Sequence, residues 1–408
     1  MTDRVRILCL ARSGDLIGGA QIQYQYLIEG LNRSGYEPLV LTPAAGPISD
    51  ALARAGLRTW VFPYPLWRHS EVLRWRHKLW LERRRVRSRL LAFARTHAVR
   101  LVRGDFDLGP YITAIAEALG IPSVVHVRGS VKRGGVRRYA LLRASALIVI
   151  GDGYRDQLLH YGVPSERITV IADATDLARF TPRCSPILRQ EDSAIAANDV
   201  LFGIVGRLEP FKRQLDFLHA AEQVIAAGRR AHFFVIGAPN RDRPRYVRRV
   251  QTFPTARGID RRVTFTGPRL HMDRVMASLD VLVTLSGGSV MLEAMASGVP
   301  VVTASARSPA ELKIVRDGEA GLVVPAGNAD ALVRALLQLC DDVELRRSLG
   351  AKGRHRVETQ FGRDRLVSET VHPYDALMRE GLPFEHCRLF VPSLINALAP
   401  TEESGANS

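Results

Sequence analysis

Apolar runs of strand length alternate with helix-length amphipathic segments twice along this chain, and that double alternation restricts the fold more than any single motif. The first series comprises Val5 to Leu10, Pro38 to Leu41, Thr59 to Phe62, Leu101 to Val102, Ser123 to Val127 and Ala146 to Ile150. Near-continuous apolar strands separated by helices predict parallel sheets covered on both faces. Between Phe180 and Val200 the pattern stops, because Pro182, Pro186 and the polar Ala197-Asn198-Asp199 replace it. The second series runs through Leu201 to Val205, Ala231 to Ile236, Val263 to Phe265, Val281 to Leu285, Val299 to Val302 and Gly321 to Val324. Two parallel-sheet domains in tandem follow, as 408 residues also suggest. The expected division is 1–185, a linker 186–200, 201–362, a helical segment 363–398 with its last confident helix at about Arg363 to Arg379, and a loose tail 399–408.

Composition excludes several classes. With 46% hydrophobic and 24% charged residues the chain is of ordinary globular type. Its four cysteines are scattered with no CxxC pair, so neither a zinc site nor a disulfide framework is expected, and a reducing cytoplasm fits. The first apolar run is too short for a signal peptide, and no 18-residue apolar run predicts a membrane span. The formal charge of +16 is uneven. Residues 1–190 carry 29 Lys/Arg against 15 Asp/Glu, whereas the remainder carries 28 against 26. Such asymmetry points to an anionic partner surface.

The sharpest local feature is Phe202-Gly203-Ile204-Val205-Gly206-Arg207-Leu208-Glu209-Pro210-Phe211-Lys212, a buried strand that ends in glycine and hands over to cations before a helix. Free backbone N–H groups and the dipole at such a junction favour an anion. Arg207 can grip phosphate oxygens in pairs and Lys212 adds a mobile point charge, which together suit a diphosphate. Taken alone, the two are as readily solvated loop cations. A second signal strengthens the pair: Leu285-Ser286-Gly287-Gly288-Ser289-Val290-Met291-Leu292-Glu293 reads as strand, glycine turn and helix start. The turn admits close backbone approach, and a carboxylate one turn into the helix can accept two hydrogen bonds from vicinal hydroxyls such as those of a ribose.

In order and spacing the sequence resembles the retaining glycosyltransferases of family 4, which have the GT-B fold of two facing Rossmann-like domains. The resemblance rests on Gly18-Gly19-Ala20-Gln21, Gly35 to Leu41, Pro122 to His126, Ile168 to Asp176 with Phe180 and Pro182, Gly206 to Lys212, Val263 to Gly267, Leu292 to Val302 and Asp317 to Pro325. It implies a nucleoside diphosphate sugar as donor, held by Gly206, Arg207, Lys212, the backbone of Gly287, Gly288, Ser289 and Val290, and Glu293 at the ribose. Gly18 and Gly19 would close on the donor from the other domain. His126 would line the cleft near the transferred sugar, and His126, Arg207 and Lys212 are the implied catalytic residues. Transfer would proceed with retention and without a bound metal or other cofactor, and the segment after 363 would return to the first domain. The family's first glutamate is missing, since Leu285 stands eight positions before Glu293. This departure motivates a second reading, an inactive nucleotide-sugar-binding regulatory or scaffold protein. Asp173-Ala174 replaces the usual Asn-Gly. Asp105-Phe106-Asp107 is read as a structural feature and not as a metal site.

Between Arg68 and Arg89 lie nine Lys/Arg and two acids, interleaved with Trp67, Trp75 and Trp80. Helical spacing gathers Val72, Trp75, Leu79, Val86, Leu90 and Phe93 on one face and Arg74, Lys78, Arg85 and Arg89 on the other. Two readings stand side by side: a helix lying on an anionic membrane, or an apolar face packed on its own sheet beneath solvated arginines. The expected membrane or acceptor surface is Trp75, Arg76, Lys78, Trp80, Arg84 and Arg128, with Lys132, Arg133, Arg137 and Arg138 extending it. Glycans or lipid-linked sugars in polysaccharide or glycolipid synthesis are the acceptors the family implies, at the inner face of the membrane. No zinc-finger, RNP-type or helix-turn-helix signature supports nucleic acid.

Overall fold

The computed structural model describes residues 4–14, 18–66, 76–191, 195–305 and 314–379. The first half folds as β1 (Val5–Leu10), α1 (Gly19–Arg33), β2 (Tyr36–Thr42), α2 (Pro47–Arg54), β3 (Arg58–Val61), α3 (Arg76–Thr96), β4 (Leu101–Asp105), α4 (Gly109–Leu119), β5 (Ser123–Val127), α5 (Arg133–Arg138), β6 (Ala146–Val149), α6 (Asp152–His160) and β7 (Ile168–Val170). Its strands form one parallel sheet in the order β3-β2-β1-β4-β5-β6-β7. The second half comprises α7 (Leu188–Glu191), β8 (Val200–Val205), α8 (Gln214–Ala226), β9 (Ala231–Ile236), α9 (Pro244–Ala256), β10 (Val263–Gly267), α10 (Met272–Met276), β11 (Val281–Thr284), α11 (Val290–Ala296), β12 (Val301–Ala304), β13 (Gly321–Val324), α12 (Ala329–Asp341), α13 (Val343–Gln360) and α14 (Arg363–Arg379). These strands pair in parallel as β10-β9-β8-β11-β12-β13.

Both sheets reverse their winding at the central strand pair, β1/β4 in one lobe and β8/β11 in the other. In open α/β sheets, ligands settle outside the carboxyl ends of strands at such a switch point. Each sheet is apolar on both faces, as the unbroken runs require. Leu8, Leu10 and Val125 pack under α3 and α4, whereas Ile7, Cys9 and Val124 pack under α1. Phe202, Phe233 and Val283 pack beneath α8 and α12, and Phe234, Leu282 and Met295 form the opposite core.

Strand β7 has only three residues and was not among the strands expected from the apolar runs. Between β7 and β8, Phe180 and Leu188 are already in the core of the second lobe. At the other end, α14 lies on α1: a Cβ at Gly30 would stand 2.0 Å from Val367 Cγ2, so the valine side chain packs directly on the Gly30 backbone. Tyr374 is fully buried among first-lobe residues, and the Tyr36 hydroxyl donates to Asp375. The two chain crossings between lobes are fastened together, since Thr175 N donates to Phe361 O at 2.9 Å. Arg363 ties that point down, with Nη1 2.9 Å from Asp176 and Nη2 2.6 Å from Glu29.

Helix α3 begins at Arg76, and Trp75 lies outside the described residues, as do the side chains of Arg76, Lys78 and Trp80. Val86, Leu90 and Phe93 turn inward onto the sheet, where Phe93 meets Trp60 edge-on at 5.1 Å. Arg84, Arg85, Arg87 and Arg89 lie on the exposed side. The apolar face over these turns therefore covers the domain's own core. No helix among the described residues is long and apolar enough to cross a membrane.

Candidate active site between the lobes

Gly206 terminates β8 with φ 146°, a conformation that side chains rarely adopt, and this bend directs the following residues across the strand ends. The aliphatic stem of Lys212 lies over it, since a Cβ at Gly206 would meet Lys212 Cδ at 3.1 Å. The same lysine reaches the second glycine turn: Lys212 Nζ is 4.0 Å from where a Cβ of Gly288 would be. Two segments about 80 residues apart thus place one ammonium beside the backbone of Gly287-Gly288-Ser289. Thr284 holds that turn by donating to Gly287 O at 3.1 Å. Arg207 is 57% exposed at its side chain and 3.9 Å from Glu209, while Gln214 fixes its carbonyl at 3.0 Å. Its guanidinium is poised at the strand end for an anion.

Glu293 sits in the first turn of α11 and is half-buried. Desolvation pushes its carboxyl up to about 7, with Arg179 acting in the opposite direction. A buried carboxylate that is costly to ionise gains from hydroxyl groups that donate hydrogen bonds to it. Burial, with a smaller contribution from the Glu293 charge, pushes the phenol of Tyr26 on α1 up to about 12. The lobes also meet at Gly19, where a Cβ would stand 2.3 Å from Ser289 Oγ. Gly18 precedes it as the residue before α1 with φ 133°. Val290 begins α11, so the approaches of Lys212 to Gly206 and Gly288, and of Gly19 to Ser289, bring the ends of β8 and β11 and the start of α1 together.

Leu285 does not point into that cleft. Strand β11 ends at Thr284, and Leu285 is buried in the core beneath α8 and α12. The turn to α11 is only five residues long, so the position eight before Glu293 serves packing.

His126 is placed differently from the expectation that it lines the cleft. It is 2% exposed, on the α1 side of β5, with Nε2 3.5 Å from the Tyr374 hydroxyl. Burial, together with the Arg103 and Arg128 charges, holds its pKa well below the ordinary imidazole value. The ring is thereby held in its neutral form. Arg103 is itself buried, with its guanidinium 5.0 Å from the Tyr24 ring centroid. Arg128, expected on a membrane or acceptor surface, is instead largely covered and ion-paired with Asp173. The residue that replaces the usual asparagine thus has a structural partner. Arg12 pairs with buried Asp107 at 2.7 Å, which accounts for one carboxylate of the Asp105-Asp107 pair. No group of three or more metal-ligating side chains occurs among the described residues.

Sequence reasoning missed Gln23, Tyr26, Arg179 and Arg363. Gln23 clamps the backbone of Ala174 through both amide atoms at 2.6 and 2.8 Å. Gln23 reaches Ala174 across 151 positions and Arg363 reaches Glu29 across 334, which no local pattern signals.

Comparison with known proteins bears on the family and the fold. Residues 17–179 match the family model described as Glycosyltransferase Family 4, and residues 199–342 match Glycosyl transferases group 1. The chain is 31% identical over 244 residues to a D-inositol 3-phosphate glycosyltransferase of Geodermatophilus obscurus, covering 56% of this chain and 52% of the relative. It thus spans about half that relative's length. It is 29% identical over 299 residues to an alpha-D-kanosaminyltransferase of Streptomyces kanamyceticus, covering 66% and 73%. The fold matches Anabaena HepE, solved in complex with UDP and glucose, with TM-score 0.78 at 20% identity over 91% of this chain and all of that one. Two Rossmann-like lobes of seven and six parallel strands, with both family models matched in sequence order, show that the chain belongs to the group 1, family 4 glycosyltransferases of GT-B fold.

Proposed function

We propose that this protein transfers a hexose-type unit from a nucleoside diphosphate sugar to a glycan or lipid-linked acceptor, with retention of configuration, in polysaccharide or glycolipid synthesis. The observation that carries the reading is the convergence of Arg207, Lys212 and the Gly288 turn at the switch point of the second sheet. Glu293 takes the ribose hydroxyls. Arg207 and Lys212 stabilise the charge that develops on the departing diphosphate, the largest catalytic contribution expected of such a site. The backbone N–H groups of Gly288 to Val290 supplement them. HepE has been solved with UDP and with UDP-glucose, which favours UDP as the first donor base to test.

His126 acts as a neutral residue that sets the cleft wall from behind. The exposed arginines of α3, with Trp75, Arg76, Lys78 and Trp80, form the anionic membrane contact of the first lobe. The second reading, donor binding without turnover, draws on the inward-facing Leu285. Incubation with UDP-, GDP- and ADP-sugars, with nucleoside diphosphate release as readout, decides between them. Release from at least one donor supports transfer. Tight UDP binding with no release across donors and glycan or lipid acceptors would leave the binding-only reading.

A further inference from the structure

We propose a second anionic-lipid-binding face, on the second lobe, formed by Arg241, Arg243, Arg245, Arg248 and Arg249 together with Phe211. All five arginines are exposed, and among the described residues none forms an ion pair with a carboxylate. Arg245, Arg248 and Arg249 share one face of α9 by their spacing, while Val250, Tyr246 and Phe253 cover the core on the other. Arg241 and Arg243 precede the helix in the loop after β9.

Intramolecular stability does not account for this cluster. Cations at a helix N-terminus are disfavoured by the helix dipole, and α9 has no acid in its first turn to offset them. Five like charges within nine residues also repel one another. An external anionic surface relieves both penalties. The near balance of charge over the second half of the sequence conceals this patch, in which Asp242 is the one acid set among the five arginines of 241–249.

The neighbouring loop supplies an apolar element. Phe211 is 66% exposed, on the 3-10 turn between β8 and α8. That loop and the arginine-bearing loop lie side by side: Leu208 bridges Pro239, Asn240 donates to Glu209 at 3.5 Å, and Tyr246 donates to Gln214 at 3.0 Å. An exposed aromatic ring beside clustered arginines matches a membrane interface, where the ring enters the headgroup layer and the cations meet anionic lipid. A soluble polyanion would use the arginines and leave Phe211 idle. Since Phe211 is adjacent to Lys212, membrane contact here would set the donor cleft at the lipid surface.

The proposal extends the membrane reading of α3 to the other lobe, and the experiment separates the two. Full-length protein is sedimented with vesicles of phosphatidylcholine alone or containing phosphatidylglycerol, and its binding to inorganic polyphosphate is measured in parallel. Near an anionic bilayer each arginine contributes roughly fivefold to partitioning. Replacing all five with Gln should therefore weaken binding to the phosphatidylglycerol vesicles by more than about tenfold and leave UDP affinity unchanged. Phe211→Ser should weaken vesicle binding and not polyphosphate binding. Wild-type vesicle binding by the five-arginine variant would overturn the proposal, whatever an α3 variant (Arg84, Arg85, Arg87 and Arg89→Gln) shows. Loss of polyphosphate binding alone would assign the patch to a soluble polyanion, also overturning it.

Discussion

The two lobes share one architecture and use arginine in opposite ways. In the first, two arginines at the strand ends are ion-paired from within, Arg12 with Asp107 and Arg128 with Asp173, while Arg103 is buried beside the Tyr24 ring. In the second, Arg207 stands mostly exposed with its nearest carboxylate 3.9 Å away, and Lys212 lies along a glycine turn. On the proposed reading, the first sheet, with Arg12 and Arg128 ion-paired, serves as a wall, and the second, with Arg207 largely exposed, serves as the side that receives the donor diphosphate. Net charge alone inverts this assignment, because the more basic half of the sequence is the half whose cleft-side arginines are already occupied.

Paired substitutions break the comparison most directly. Arg128→Ala leaves Asp173 unpaired in a largely covered site and should cost about 3–5 kcal/mol of stability, read by denaturant unfolding, with UDP affinity unchanged. Lys212→Ala should do the reverse, lowering kcat by roughly 10²–10³ with little shift in unfolding midpoint. Arg207→Ala removes a charged grip on the diphosphate and should weaken UDP binding by about 10–100-fold, measured by calorimetry. If Arg128→Ala instead weakens UDP as strongly as Arg207→Ala, the division between lobes is wrong.

Two smaller effects sharpen it. Gly19→Ala introduces a Cβ 2.3 Å from Ser289 Oγ and should hinder closure, reducing kcat about tenfold, within the usual range for overpacking. Ser289→Ala in the same chain should partly restore it. Glu293 gives a pH signature. Its carboxyl lies near 7 in the folded state against 4.5 for the ordinary group, so the native protein binds more protons than the unfolded chain between these values. Stability of the ligand-free protein should therefore fall as pH rises from about 4.5 to about 7. Glu293→Gln should flatten that slope in thermal unfolding scans and remove the matching gain in UDP affinity towards higher pH.

Much of this was legible in the chain itself. Strand-length apolar runs correspond to twelve of the thirteen strands among the described residues because both sheets are buried on both faces; β7, with three residues, offers no such run. The Gly206–Lys212 segment could be read because a glycine bend and two cations are consecutive in sequence. His126 and Arg128 could not be placed, since their surroundings come from Tyr374 and Asp173, 248 and 45 residues away. Leu285 shows the same limit: its spacing from Glu293 was visible, but not the five-residue turn that directs it into the core. The clustering on α9 was present in the sequence and hidden by averaging charge over half a chain.

The central claim is that the second lobe, through Arg207 and Lys212, holds a nucleoside diphosphate. Titration calorimetry with UDP on wild-type, Arg207→Ala and Arg128→Ala proteins tests it most directly. Saturable binding by wild type and Arg128→Ala, with about 10–100-fold weaker binding by Arg207→Ala, is the predicted result. Equal UDP affinity in wild type and Arg207→Ala would contradict it.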